Sequence, residues 1–109
     1  MPVSPQYRDL VLDLLAPLGE IDTRRMFGGL SIRCEGQHFG VIIQDQFHLV
    51  CNAPLRAELT ERGGTIFSYR RGSRAVDVPR FVSVPEEMLE DMDEFLPFAR
   101  RALLVARDG

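Results

Sequence analysis

Four side chains able to ligate a metal or activate a nucleophile sit close together in the chain: Cys34, His38, His48 and Cys51. Their types suit a tetrahedral zinc site, and the C-x3-H and H-x2-C spacings resemble those of one. Strand geometry opposes convergence. With Glu35-Gly36-Gln37 as a three-residue hairpin loop, Cys34 faces His38. With Asp45-Gln46 as a two-residue loop, Gly40 faces Cys51 and Ile43 faces His48. Side chains alternate across a strand, so Cys34, His38 and Cys51 share a face with Ile32, Ile42 and Leu49 while His48 points the other way. A three-ligand set of Cys34, His38 and Cys51 is what remains. Its cysteines are two strands apart, roughly 10 Å at a strand spacing of ~4.8 Å, which is also too far for a disulfide.

The same Cys34–His38 pair could serve as nucleophile and base. A small enzyme or a ligand- or metal-binding domain built on these two residues is therefore one reading. Against it, no oxyanion donor or third group orienting the imidazole is evident, and an apolar row of neighbours raises a thiol pKa. Two buried or half-buried thiols are the plainer interpretation, and no cofactor is implied.

A second cluster is basic. Arg70, Arg71 and Arg74 flank Gly72-Ser73, with Tyr69 beside them, and could touch phosphate or stack a base. Arg24, Arg25, Arg100 and Arg101 enlarge that patch only if the fold gathers them. The whole chain carries 13 basic and 16 acidic residues, a net charge of −3. That balance lacks the broad positive field that releases counterions from nucleic acid, so nucleic acid is not expected as a partner of this chain alone. All 13 basic residues are arginine. The acidic run Glu86-Glu87, Glu90-Asp91, Asp93-Glu94 reads as charge favoured at helix N-termini by the backbone dipole.

The elements that position these groups follow from periodicity and punctuation. Ser4-Pro5 starts a helix, the hydroxyl capping free amides and the proline occupying the first turn. Tyr7, Leu10, Val11, Leu14, Leu15 and Leu18 form its apolar face, and Gly19 ends it. In Arg24-Arg25-Met26-Phe27-Gly28-Gly29-Leu30-Ser31-Ile32 the glycine pair interrupts a half-buried strand, the mark of two strands meeting at a tight bend. Leu30, Ile32 and Cys34 alternate with Ser31 and Arg33. His38–Gln44 and Phe47–Cys51 continue a meander. Asn52 and Pro54 open a short helix that Gly63-Gly64 closes. Ile66, Phe67 and Tyr69 make a strand, the arginine-rich tip turns it, and Ala75–Val78 returns, with Pro79 favouring a sheet edge. From Met92, residues Phe95, Leu96, Ala99, Ala102, Leu103 and Ala106 keep helical spacing, and Pro97 either delays the helix to about Asp93 or kinks it.

A chain of 109 residues, 45% apolar and 27% charged, fits one folded domain spanning residues 1–109. The N-terminus shows no secretory pattern, and no apolar stretch approaches the ~18 residues a membrane helix needs. A cytoplasmic location follows, where two unpaired thiols stay reduced.

At three places the sequence resembles the TfoX/Sxy family, the regulators of bacterial natural competence, in their N-terminal domain. These are Arg25-Met26-Phe27-Gly28-Gly29, then Phe67-Ser68-Tyr69, then Val84-Pro85-Glu86-Glu87-Met88-Leu89-Glu90-Asp91 running into Phe98-Ala99-Arg100-Arg101-Ala102-Leu103. Ser31 stands where the family often has a third glycine, Phe98 where it has a tryptophan-like position, and Pro97 where it has a polar residue. The resemblance implies an α+β two-layer fold similar to secretion chaperones, with helices on a mostly antiparallel sheet in the order α-β-β-β-β-α-β-β-α. It further implies a non-enzymatic regulatory domain acting through contacts with a protein partner, with Arg25, Met26, Phe27, Gly28, Gly29 and Pro85 as structural residues. The full regulators carry a second, C-terminal domain, and this chain is expected to stand alone without it. An exposed strand edge, such as one bearing Pro79, or an uncovered sheet face would suit a homodimer.

Overall fold

A computed structural model describes residues 4–26 and 28–108. Helix α1 (Pro5–Leu15) begins as its sequence dictates, with the Ser4 hydroxyl accepting from the Tyr7 amide, and a single 3-10 turn (Ala16–Leu18) leads to Gly19. Six strands follow in two groups: β1 (Ile21–Met26), β2 (Gly29–Cys34), β3 (Gln37–Ile43) and β4 (Gln46–Val50), then β5 (Ile66–Arg71) and β6 (Arg74–Ser83). Helix α2 (Ala53–Glu61) separates the groups, capped by the Asn52 side chain on the Leu55 amide. The short α3 (Glu86–Leu89) and the long α4 (Met92–Asp108) close the chain. The Asp91 carboxylate caps α4 by accepting from the amides of Asp93 and Glu94 at 3.1 and 3.4 Å. Pro97 lies inside this helix, where its missing N–H removes one backbone bond in the second turn.

The expected α+β class and element order hold, with α3 as an addition. All pairings are antiparallel and the sheet order is β1-β2-β3-β4-β6-β5. The edges are thus β1 and β5. Pro79 is not on an edge strand, contrary to the reading from sequence. It sits where β6 changes partner: Val82 pairs with Ile66 but Val78 with Phe67, so the intervening residues bulge away from β5. A bulge tolerates a residue with no N–H to donate.

One face of the sheet carries the core. Val11 and Leu15 of α1, Leu55 and Leu59 of α2, Met88 of α3, and Phe95, Ala99 and Ala102 of α4 pack with Ile32, Cys34, Ile42, Phe47 and Leu49. The Phe47 and Phe95 rings meet with centroids 6.1 Å apart. Leu10, expected on the buried face of α1, is 46% exposed. Two bonds fasten α1 to the β3–β4 turn: the Phe47 amide donates to the Tyr7 hydroxyl at 2.8 Å, and the Ser4 amide to the Asp45 carboxylate at 2.7 Å.

The glycine doublet divides into two separate requirements. Gly28 adopts φ +75° in the β1–β2 turn with open space around it, a conformation that costs an L-residue energy through its Cβ. Gly29 begins β2 opposite Met26, and a Cβ there would collide with the backbone carbonyl of Ile42. Phe27 lies outside the described residues. Between β3 and β4 the turn is Gln44-Asp45, both at positive φ (+54° and +53°), so the loop falls one residue earlier than the sequence reading placed it. His48 opposes Val41, and the face assigned to it from sequence is retained.

Candidate functional site

The β2–β3 register decides the fate of the Cys34–His38 pair. Leu30↔Ile42 and Ile32↔Gly40 follow the expected alignment, but the register then shifts, giving Arg33↔His38 and Cys34↔Gln37. The loop is one residue shorter than expected, and Phe39 is the extra residue of a bulge whose ring joins the core. Cys34 therefore faces the helices and His38 faces the opposite side. A nucleophile–base pair or a Cys34–His38–Cys51 metal set does not form. Among the described residues no three His, Cys, Asp or Glu side chains converge to hold a metal ion.

Both thiols are free and buried. Cys34 Sγ contacts the Leu18 carbonyl at 3.8 Å, and burial raises its pKa. Cys51 Sγ points to the Leu49 carbonyl at 3.5 Å, and burial pushes its thiol up to about 12. Neither is the thiolate that nucleophilic chemistry needs.

The opposite face of the sheet is where the structure makes a site. Val41, Val50, Ser31, His48 and Ser83 are buried there although the helices pack on the other side. The sheet curls to cover them: Phe67 of β5 lies edge-on to the His48 ring at 5.4 Å, and Phe81 of β6 lies edge-on to His38 at 6.0 Å. His48 Nδ1 donates to the Gln46 carbonyl at 2.9 Å, while Nε2 of His38 is buried without a partner. Desolvation lowers the pKa of both imidazoles, so both rings favour the neutral form as floor residues.

Curling also opens a cleft of about 720 Å³ between the two edges of the sheet. Met26 of β1 and the β3–β4 turn at Ile43-Gln44 form one wall. Phe67 to Arg70 of β5 form the other, with Val78 and Phe81 of β6 behind. This volume is typical of ligand clefts, and the lining is mostly apolar. Phe67 and Tyr69 stack with centroids 6.3 Å apart, and Tyr69 remains 44% exposed.

The sequence-predicted residues distribute unevenly around this cleft. Met26 lines it, and Gly28 and Gly29 shape the hairpin that carries Met26. Arg25 is exposed on β1 opposite Leu30. Pro85 is remote from it, setting the N-terminus of α3, where its carbonyl accepts from the Met88 amide at 3.0 Å. Arg70, Arg71 and Arg74 are all exposed at the β5–β6 tip, with Arg70 reaching into the lining and bonding the Ser73 carbonyl at 3.1 Å. Arg101 does not join them: it pairs with Glu58 on the helical side. Ile43, Phe67, Val78 and Phe81 were not singled out as site residues by the sequence. Their sequence signals are alternation, Phe67 and Tyr69 against Ser68 and Arg70, and Val76 and Val78 against Asp77, and for Phe67 its place in the Phe67-Ser68-Tyr69 element; these mark a face without saying what it encloses.

Geometry thus defines an α+β scaffold with one face sealed by helices and one face opening into an apolar, arginine-bordered cleft. The chain matches the TfoX N-terminal domain model over residues 13–106, and it belongs to that family. Comparison with curated proteins finds no match. Among the described residues, no helix is long and apolar enough to cross a membrane.

Proposed function

We propose that this chain is a cytoplasmic, non-enzymatic regulatory module, related to the N-terminal domain of bacterial competence regulators, that acts by docking a protein partner on its open sheet face. Membership of the TfoX N-terminal domain family supports the regulatory class. The observation that carries the docking mode is the cleft of about 720 Å³ between the sheet edges, walled by Met26, Phe67, Tyr69 and Phe81. Such a surface offers desolvation energy and shape to a partner, and its exposed aromatic residue is of the type that dominates protein interfaces. The buried, protonated thiols and neutral floor imidazoles contribute packing and not chemistry.

Site-specific photo-crosslinking in the native host tests this. A crosslinking residue at Tyr69 is expected to trap a discrete protein, and the same residue at Leu104, exposed on α4, is expected to trap none. Trapping from Leu104 alone, or from neither site, overturns the reading.

A further inference from the structure

We infer that the cleft takes an extended acidic segment of the partner, which adds to the free edge of β5 as a further strand, seats apolar side chains against Phe67, Tyr69 and Phe81, and sets its carboxylates among the arginines of the β5–β6 tip. This rests on the docking reading above and specifies what is docked.

Three observations carry it. First, β5 is an edge strand, bonded only to β6, so alternate N–H and C=O groups along it point outward unpaired. Second, four consecutive residues of β5, Phe67 to Arg70, line the cleft. Side chains of a strand alternate between faces, so a cavity lying on one face would touch every second residue. Contact with consecutive residues shows that the cleft reaches beyond the Phe67–Tyr69 face to the backbone of β5. A smaller hollow of about 190 Å³ shares Ile43, Gln44, Phe67 and Ser68 and continues to Thr65 and Ile66, with Gln46 and His48 of β4 on its other side. The depression therefore follows β5 from one end towards the other, a shape that suits an extended chain better than a compact ligand. Strand addition of this kind draws affinity from main-chain hydrogen bonds and specificity from pockets for alternate side chains.

Third, the charge is complementary. The β5–β6 tip from Arg70 to Arg74 holds three arginines and no acidic residue, a net +3 within a chain whose net charge is −3. The ion pairs among the described residues are Arg8–Asp9, Arg62–Glu94 and Arg101–Glu58, and none involves Arg70, Arg71 or Arg74. Across the cleft, Arg24 shares the Met26 side of β1 with Asp22, both exposed, so β1 adds no net charge. An acidic segment would meet guanidinium groups at the tip that are in none of those ion pairs, and a basic one would be repelled.

The test uses the whole chain and fluorescent heptapeptides alternating glutamate with valine and phenylalanine, read by anisotropy. The acidic peptide is expected to bind, to weaken as salt rises, and to bind at least tenfold tighter than its lysine counterpart. Arg70→Glu combined with Arg74→Glu should reverse that preference. Arg100→Glu combined with Arg107→Glu, which changes net charge equally on α4, should leave it intact. Circular dichroism checks that all variants are folded. N-methylation of alternate peptide amides should abolish binding in one register and be tolerated in the other. Equal tolerance of both registers overturns strand addition, and equal affinity for acidic and basic peptides overturns the charge assignment. Binding of dodecanoate or a single-stranded oligonucleotide in place of the peptides overturns the inference as a whole. Should the peptides fail while Tyr69 still traps a protein, the segment chemistry is wrong and the docking reading stands.

Discussion

The two faces of one sheet are stabilised by different means. On the helical face, Phe47, Phe95 and their neighbours are sealed from water, and two arginines there are engaged: Arg62 and Arg101 lie over the Phe98 ring at 5.2 and 5.7 Å while pairing with Glu94 and Glu58. On the open face, burial of Val41 and Val50 comes from curvature of the sheet, and the arginines at the β5–β6 tip have no carboxylate partner among those ion pairs. The first face holds the fold together and the second leaves interaction capacity unspent, which is the division a docking scaffold requires.

Substitutions should separate the faces. Phe47→Ala removes a fully buried ring from the helical side and is expected to cost about 3–5 kcal/mol in urea denaturation; a loss below 1 kcal/mol would break the contrast. Gly29→Ala comes next, at about 1–3 kcal/mol, because its Cβ meets the Ile42 carbonyl and backbone cannot step aside. Gly28→Ala, strained by conformation alone, should cost about 1–2 kcal/mol. If the two glycine variants reverse in order, the close approach of β2 to β3 is less tight than described.

A smaller effect distinguishes the floor of the open face. Burial lowers the His48 and His38 pKa values, so the folded protein binds protons less readily than the unfolded chain. Stability from these groups is complete above the ordinary imidazole value of about 6.5 and declines as pH falls below it towards the folded-state pKa. Denaturation midpoints between pH 7.5 and 5 should show this decline, and His48→Gln should flatten it. An unchanged slope would mean that the ring is hydrated in solution. Smallest of all, Tyr69→Ala on the rim should alter stability by no more than ~0.5 kcal/mol while weakening partner capture, measured by denaturation and crosslinking together.

Much of the scaffold was readable from residues. The Ser4 cap, the bend at Gly28, the arginine-tipped hairpin and the apolar stripe of the last helix each have a local cause that leaves a local mark. The Cys34–His38 relation was not readable, because a bulge inserts one residue with no compositional trace: Phe39 looks like any apolar strand residue, yet it transfers His38 to the other face. The cleft was half legible. Alternation in Phe67 and Tyr69 shows a strand with an apolar side, but whether the two edges of a sheet approach one another depends on accumulated twist and on the partner change at Pro79, which are properties of the assembled sheet.

That partner change has a mechanical consequence. Of β6, only Phe81, Val82 and Ser83 pair with β4, and β5 pairs with Val82 through Ile66 before resuming at Val78 and the residues before it, so the outer part of the β5–β6 hairpin extends from the body beyond the short run at positions 79–81. A proline at the head of that run stiffens a lever whose far end bears the arginines. The Arg56 side chain donates to the Pro79 carbonyl and the Cys51 amide to that of Arg80, so the root of this arm is tied to α2 and to the residue after β4.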